Sequence, residues 1–68
     1  MKKNIKLKTL RMLYNLKQSD LANLLKIGNA TYTNKENGKH AFTDKEKLII
    51  KEYFKNLGSD LTIDELFF

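Results

Sequence analysis

Along most of this chain the apolar residues recur every three or four positions, the spacing of helices that each bury one stripe. Leu7, Leu10 and Tyr14, with Leu13 beside them, predict a first helix over roughly 4–14. Asn15 then suits the left-handed backbone that ends a helix, and Leu16 reads as a core anchor just beyond it. Leu21, Leu24 and Leu25 predict a second helix over about 18–25, with the small Ala22 where a neighbour can approach closely. A third helix starts after Gly28, an acceptable N-cap, and closes at Gly38. Thr43 and Glu46 have the spacing of a capping box for a fourth. Its expected core stripe is Leu48, Ile49, Tyr53 and Leu57, widened by Ile50 and Phe54, and Gly58 marks its end. Thr62 and Glu65 repeat the box ahead of the closing turn IDELFF. β-Branched residues are scattered and nothing alternates over a useful length, so the expected architecture is all-α, five helices with short connections.

Length narrows this pattern to one domain over residues 1–68. A chain of this size buries only about 60% of its unfolded surface, which leaves little margin for unpaired buried groups. There is no cysteine, and a lone histidine, His40, cannot build a metal cage, so neither disulfide nor metal is expected. No apolar run approaches the ~20 residues of a membrane span, and the basic start MKKNIKLK lacks the apolar stretch of a secretory signal. Charge is distributed unevenly. Residues 1–40 hold nine Lys or Arg against Asp20 and Glu36, a net +7, whereas residues 41–68 hold four Lys against six acids, a net −2. A polyanionic partner for the N-terminal part is the corresponding expectation; solubility is the alternative use of such charge. Lys2, Lys3, Lys6 and Lys8 read as a solvated face that adds non-specific attraction.

One stretch departs from the core-stripe pattern. KIGNATYTNKENG (26–38) follows LANLL and turns abruptly to Asn, Thr and Gly, with Tyr32 its only bulky aromatic. Nothing in it suggests catalysis, because no nucleophile and base converge and the carboxylates are scattered, so the chain is not expected to be an enzyme. The short connection around Ile27 sets the second and third helices as a helix-turn-helix whose second member can enter a major groove. A groove-facing helix needs short hydrogen-bonding side chains: Asn pairs with adenine, and Thr or Ala methyls contact thymine methyls. Tyr32 is expected to turn inward and hold the helix to the core.

The longer run LKTLRMLYNLKQSDLANLLKI, with TYTNKENGK after it, resembles the phage Cro/repressor-like (Xre-type) helix-turn-helix family. Leu7, Leu10 and Arg11 match its leading L-x-x-L-R; Gln18, Leu21 and Ala22 match Q-x-x-L-A; Glu36, Asn37 and Gly38 match its E-N-G close. The likeness covers about residues 5–42, and TIDELF looks like the family's usual tail. It implies a five-helix, lambda-repressor-like domain with the helix-turn-helix over about 18–37. It further implies a cytoplasmic, nucleoid-associated repressor that binds a palindromic double-stranded DNA operator as a homodimer, without cofactor. Asn29, Ala30 and Asn34, with Thr33 nearby, would face bases; Gln18, Lys35, Asn37, Lys39 and His40 would face phosphate; Arg11 and Glu36 would form a partly buried ion pair. The terminal Leu66, Phe67 and Phe68 are a candidate dimer contact, since apolar residues at a chain end are exposed unless they fold back.

Three positions depart from the family pattern. Lys26 stands where the turn usually has glycine and is expected either to take a positive φ at some cost or to reshape the turn. Lys17 replaces the usual Ser/Thr cap and is expected to leave the second helix poorly capped. Lys35 replaces an aliphatic residue and is expected to bury its stem with its charge near phosphate. Two other functions fit parts of the pattern: an antitoxin-like regulator that binds a toxin, and an interaction module that binds another phage or host regulator. A protein-binding helix would show aromatic or aliphatic anchors between Asn29 and Asn34, where Tyr32 stands alone.

Overall fold

The structure is a computed structural model that describes residues 4–67; Lys2, Lys3 and Phe68 lie outside the described residues. Helical periodicity becomes five helices: α1 (Ile5–Leu13), α2 (Gln18–Leu25), α3 (Asn29–Glu36), α4 (Asp44–Asn56) and α5 (Ile63–Phe67). Among the described residues there is no strand, and no helix is long and apolar enough to cross a membrane. The helices pack into a ball with a Cα radius of gyration of 10.7 Å.

Four helices end in the same way. After α1, α2, α3 and α4, a residue with positive φ turns the chain: Asn15 (58°), Lys26 (59°), Gly38 (85°) and Gly58 (106°). Each time the next residue's N–H returns to a carbonyl five residues back: Leu16 to Arg11 (3.0 Å), Ile27 to Ala22 (3.0 Å), Lys39 to Asn34 (2.8 Å) and Ser59 to Phe54 (2.9 Å). This is the Schellman closure, which satisfies carbonyls that a helix end leaves open. Glycine takes that backbone freely, Asn tolerates it, and Lys26 holds it at a steric cost. Both capping boxes form, with Thr43 Oγ1 accepting from Glu46 N–H and Thr62 Oγ1 from Glu65 N–H. The start of α2 is better closed than expected: the Asp20 carboxylate accepts the Lys17 N–H at 2.7 Å. It is half a box, because a lysine side chain has no acceptor to return the bond.

Leu7, Leu10, Leu21, Ala22, Tyr32, Phe42, Ile50, Phe54, Leu66 and Phe67 make the core. Two expectations change here. On α4 the buried positions are Ile50 and Phe54, while Leu48 and Leu57 are exposed and Ile49 and Tyr53 half-buried. Phe54 of α4 meets Tyr14 at 5.9 Å, and just ahead of the helix Phe42 packs against Phe67 of α5 at 5.3 Å. On α1, Leu13 faces solvent rather than the core. The terminal residues are also reassigned. Leu66 and Phe67 fold back into the core of their own chain and therefore offer no dimer contact.

Candidate nucleic-acid interface

α3 is two half-helices with different surroundings. Its C-terminal half is held from three sides. Glu36, 2% exposed, receives Arg11 as a fork, Nε to Oε2 at 3.0 Å and Nη2 to Oε1 at 3.1 Å. Tyr32 Oη donates to Oε2 at 2.7 Å and Gln18 Nε2 to Oε1 at 3.1 Å. Four bonds thus converge on one carboxylate, and Arg11 donates a further bond to the Leu16 carbonyl at 2.9 Å. α1 and the connection after it are so fixed to the end of α3. A buried charge pair is tolerated only when its remaining hydrogen-bonding capacity is filled. Among the described residues no buried side-chain polar atom lacks a partner.

These contacts set the protonation of the cluster. Burial by itself would push the Glu36 carboxyl up; the bonds from Arg11, Tyr32 and Gln18 outweigh it and hold the carboxyl below its ordinary range. The bond to Glu36 raises Arg11. Burial, then the neighbouring Glu36 carboxylate, pushes the Tyr32 phenol well above its usual value, so it stays a donor. The arrangement is therefore a fixed bracket with no group poised to exchange protons near neutrality.

Lys35 grips in the opposite direction. Its ammonium lies 2.6 Å from Glu46 Oε1, the same oxygen that accepts the Thr43 N–H at 2.9 Å. The pair joins the end of α3 to the start of α4. The expected snorkelling stem is found, but the charge at its tip faces an internal carboxylate rather than open solvent. Burial would raise Glu46; Lys35 and the Thr43 backbone bond lower it below its ordinary range. Asn4 makes a third attachment that periodicity did not indicate. Its N–H donates to the Glu36 carbonyl at 3.0 Å and its Nδ2 to the Lys35 carbonyl at 2.9 Å, closing the last turn of α3. The only local hint was an Asn just ahead of an apolar stripe, which reads as an N-cap; yet its side chain caps nothing in α1.

The N-terminal half of α3 carries no such attachments. Gly28 precedes it with ordinary extended backbone and no side-chain cap, and a Cβ there would meet nothing within 4 Å. Asn29, Ala30 and Thr31 are exposed and Asn34 is half-buried, and no side chain among them hydrogen-bonds within the described residues. Ala30, Thr31 and Asn34 share the arc opposite Tyr32 and Glu36. Thr33 lies nearer the core: it is half-buried and its hydroxyl donates to Gln18 Oε1 at 3.1 Å. Both ends of the Gln18 amide are therefore occupied internally, by Thr33 and by Glu36. The threonine most open to a ligand is Thr31, recognisable from helical spacing because it sits one position off Tyr32 on the outer side. Lys39 and His40 are exposed just beyond α3, Asn37 is half-buried, and Lys26 is exposed just before it. Polar, unbonded side chains are thus edged by cations at both ends of the helix.

Comparison with family models, with curated proteins and with solved structures returned no match.

Proposed function

We propose that the chain is a sequence-specific double-stranded DNA-binding regulator, a Cro-like repressor in which α2 and α3 act as a helix-turn-helix. The observation that carries this reading is the split character of α3. The C-terminal half is clamped through Arg11, Gln18, Asn4 and the Lys35–Glu46 pair, whereas Asn29, Ala30 and Thr31 of the first half, and the outward-facing Asn34 beyond them, carry no side-chain bond. Rigid support behind a short polar surface is what base reading needs, because bidentate pairing of Asn with adenine tolerates little displacement. Lys26, Lys39, His40 and Asn37 serve the flanking phosphates, which position without reading sequence. Gln18 and Thr33 act one step back, as a brace between α2 and α3. Repression follows from occupying promoter DNA, with two copies on a palindrome whose half-sites lie about one turn, ~34 Å, apart.

Selection of bound duplexes from a random pool tests this directly. An enriched, palindromic sequence is expected, with affinity falling steeply as salt rises because phosphate contacts release counterions. Lys39→Ala should weaken all duplexes alike, whereas Asn34→Ala should flatten the preference. Absence of duplex binding at low salt would end the proposal, and equal losses for both variants on selected and random DNA would end the base-reading assignment.

A further inference from the structure

Base edges in the major groove differ in the side chains that match them. Guanine shows two acceptors, which Lys or Arg fills, and cytosine shows a donor, which a carboxylate accepts. Adenine shows one of each, matched by an amide, and thymine adds a methyl group. α3 holds two charged residues, Lys35 and Glu36, and neither is open to a ligand. Glu36 is buried under Arg11, Tyr32 and Gln18. Lys35 follows Thr31 by one helical turn on the same stripe, within a lysine's reach of any groove that Thr31 enters. Its ammonium nevertheless lies on Glu46, with both side chains only 13% exposed. What remains on the arc opposite Tyr32 is the amide of Asn34 and the methyl groups of Ala30 and Thr31. The Asn34 backbone is fixed as well, since its carbonyl accepts the Lys39 N–H at 2.8 Å.

We propose that α3 reads A·T pairs, and that Glu46 sets this preference by holding Lys35 off the groove. Asn34 accepts from the adenine amino group and donates to the neighbouring ring nitrogen, while Ala30 and Thr31 pack on thymine methyls. Guanine opposite Asn34 would set the amide oxygen against the keto oxygen of the base, two acceptors with no proton between them. Glu46 belongs to α4 and touches no base. It is a positioning residue: one oxygen, Oε1, takes both the Lys35 ammonium and the Thr43 N–H, so the charge on α3 is tied to the start of α4. Lys26, Lys39 and His40 are exposed beyond the two ends of α3, where they suit phosphate, which carries no sequence. The inference deepens the DNA reading and rests on it.

Selection from a random duplex pool, run on the full chain and its variants, tests this. The parent should enrich half-sites with A·T pairs at the central positions. Guanine in place of the adenine whose preference Asn34→Ala loses should weaken parent binding at least about fivefold. Glu46→Gln removes the charge that holds Lys35 and keeps the capping box, which glutamine also serves. Glu46→Ala removes the acceptor as well. Both should admit guanine beside that adenine, alanine more than glutamine. Lys35→Met should leave the parent's preference unchanged, and adding it to either Glu46 variant should remove the new guanine preference, a rescue that a merely structural role for Glu46 does not give. G·C pairs enriched at the parent's central positions would overturn the A·T assignment while leaving DNA binding standing. Unaltered preference in both Glu46 variants, or a preference lost in Lys35→Met, would overturn the role of Glu46. Absence of any enriched duplex would instead end the DNA reading on which both depend.

Discussion

The two ends of α3 differ in what holds their side chains. From Tyr32 to Glu36 all but one side chain is hydrogen-bonded or paired, Tyr32 to Glu36 within α3 and the others to α1, α2 or α4. From Asn29 to Thr31 no side chain is bonded at all. The lesson is about division of labour within eight residues: stability is concentrated in one half, and the other is left chemically unsaturated. Substitutions should therefore separate cleanly into those that unfold the chain and those that alter only what it recognises.

The sharpest way to break this contrast is Glu36→Ala. It leaves the Arg11 guanidinium, 8% exposed, without its partner, and removing one member of a buried pair costs about 3–5 kcal/mol. For so small a domain that approaches the whole of its stability, so urea unfolding should find the variant largely unfolded at room temperature. A loss under about 1 kcal/mol would refute the bracket. Tyr32→Phe is gentler. It removes one buried donor and should cost about 1–3 kcal/mol, lowering Tm by several degrees or more while leaving the helical circular dichroism intact.

Acid and base strain the same half from opposite sides. Glu36 and Glu46 sit below their ordinary value of 4.5 in the folded chain, so the unfolded chain binds protons more readily. Their contribution is complete above that value and is lost as pH falls through their lower folded values. Tyr32 is raised above its ordinary 10.0, so its contribution is complete below pH 10 and declines as pH rises beyond it. Unfolding free energy measured across pH should thus be flat between these limits and fall on both sides. Replacing Tyr32 by Phe should remove part of the alkaline fall, and an unchanged alkaline limb would contradict the assignment.

Smaller effects belong to the turn and to the open half. Lys26→Gly relieves a left-handed lysine and should stabilise by up to about 1 kcal/mol, visible as a rise in Tm, less if the lysine stem packs on the turn. Asn34→Ala should change stability by no more than about 0.5 kcal/mol. In the proposed complex it should nevertheless remove about 1–3 kcal/mol of discrimination between the preferred base and its alternatives, measured by competition between selected and altered duplexes. A large stability loss at Asn34 would show that its side chain is anchored like those of Thr33 and Lys35 and erase the distinction.

Much of the fold was legible because its signals are local. Helical spacing, the boxes at Thr43 and Thr62, and turn residues such as Asn15 and Gly38 act within a few positions of themselves, and all appear where local chemistry places them. The pairing of Arg11 with Glu36 is a long-range contact, and periodicity has no access to it; only the resemblance to a family suggested it. Gln18 and Lys35 show the opposite limit. Both are polar residues near the proposed interface, and the sequence held nothing to say that their polar groups would be taken up by Glu36, Thr33 and Glu46.

The sequence by itself determined that this chain is helical, where its helices stop, that its N-terminal portion is basic, and that one short helix is too polar to be built for the core. Which face of each helix is buried was decided only by tertiary structure. Leu48, Leu57 and Leu13 satisfy the same periodicity as Ile50, Phe54 and Leu10, yet they stay in solvent. The reason is geometric. Periodicity specifies stripes but not their partners, and α5, by inserting Leu66 and Phe67 between α1 and α4, chose which stripes would meet. The same insertion put Leu66 and Phe67, two residues of the candidate dimer contact, into the core.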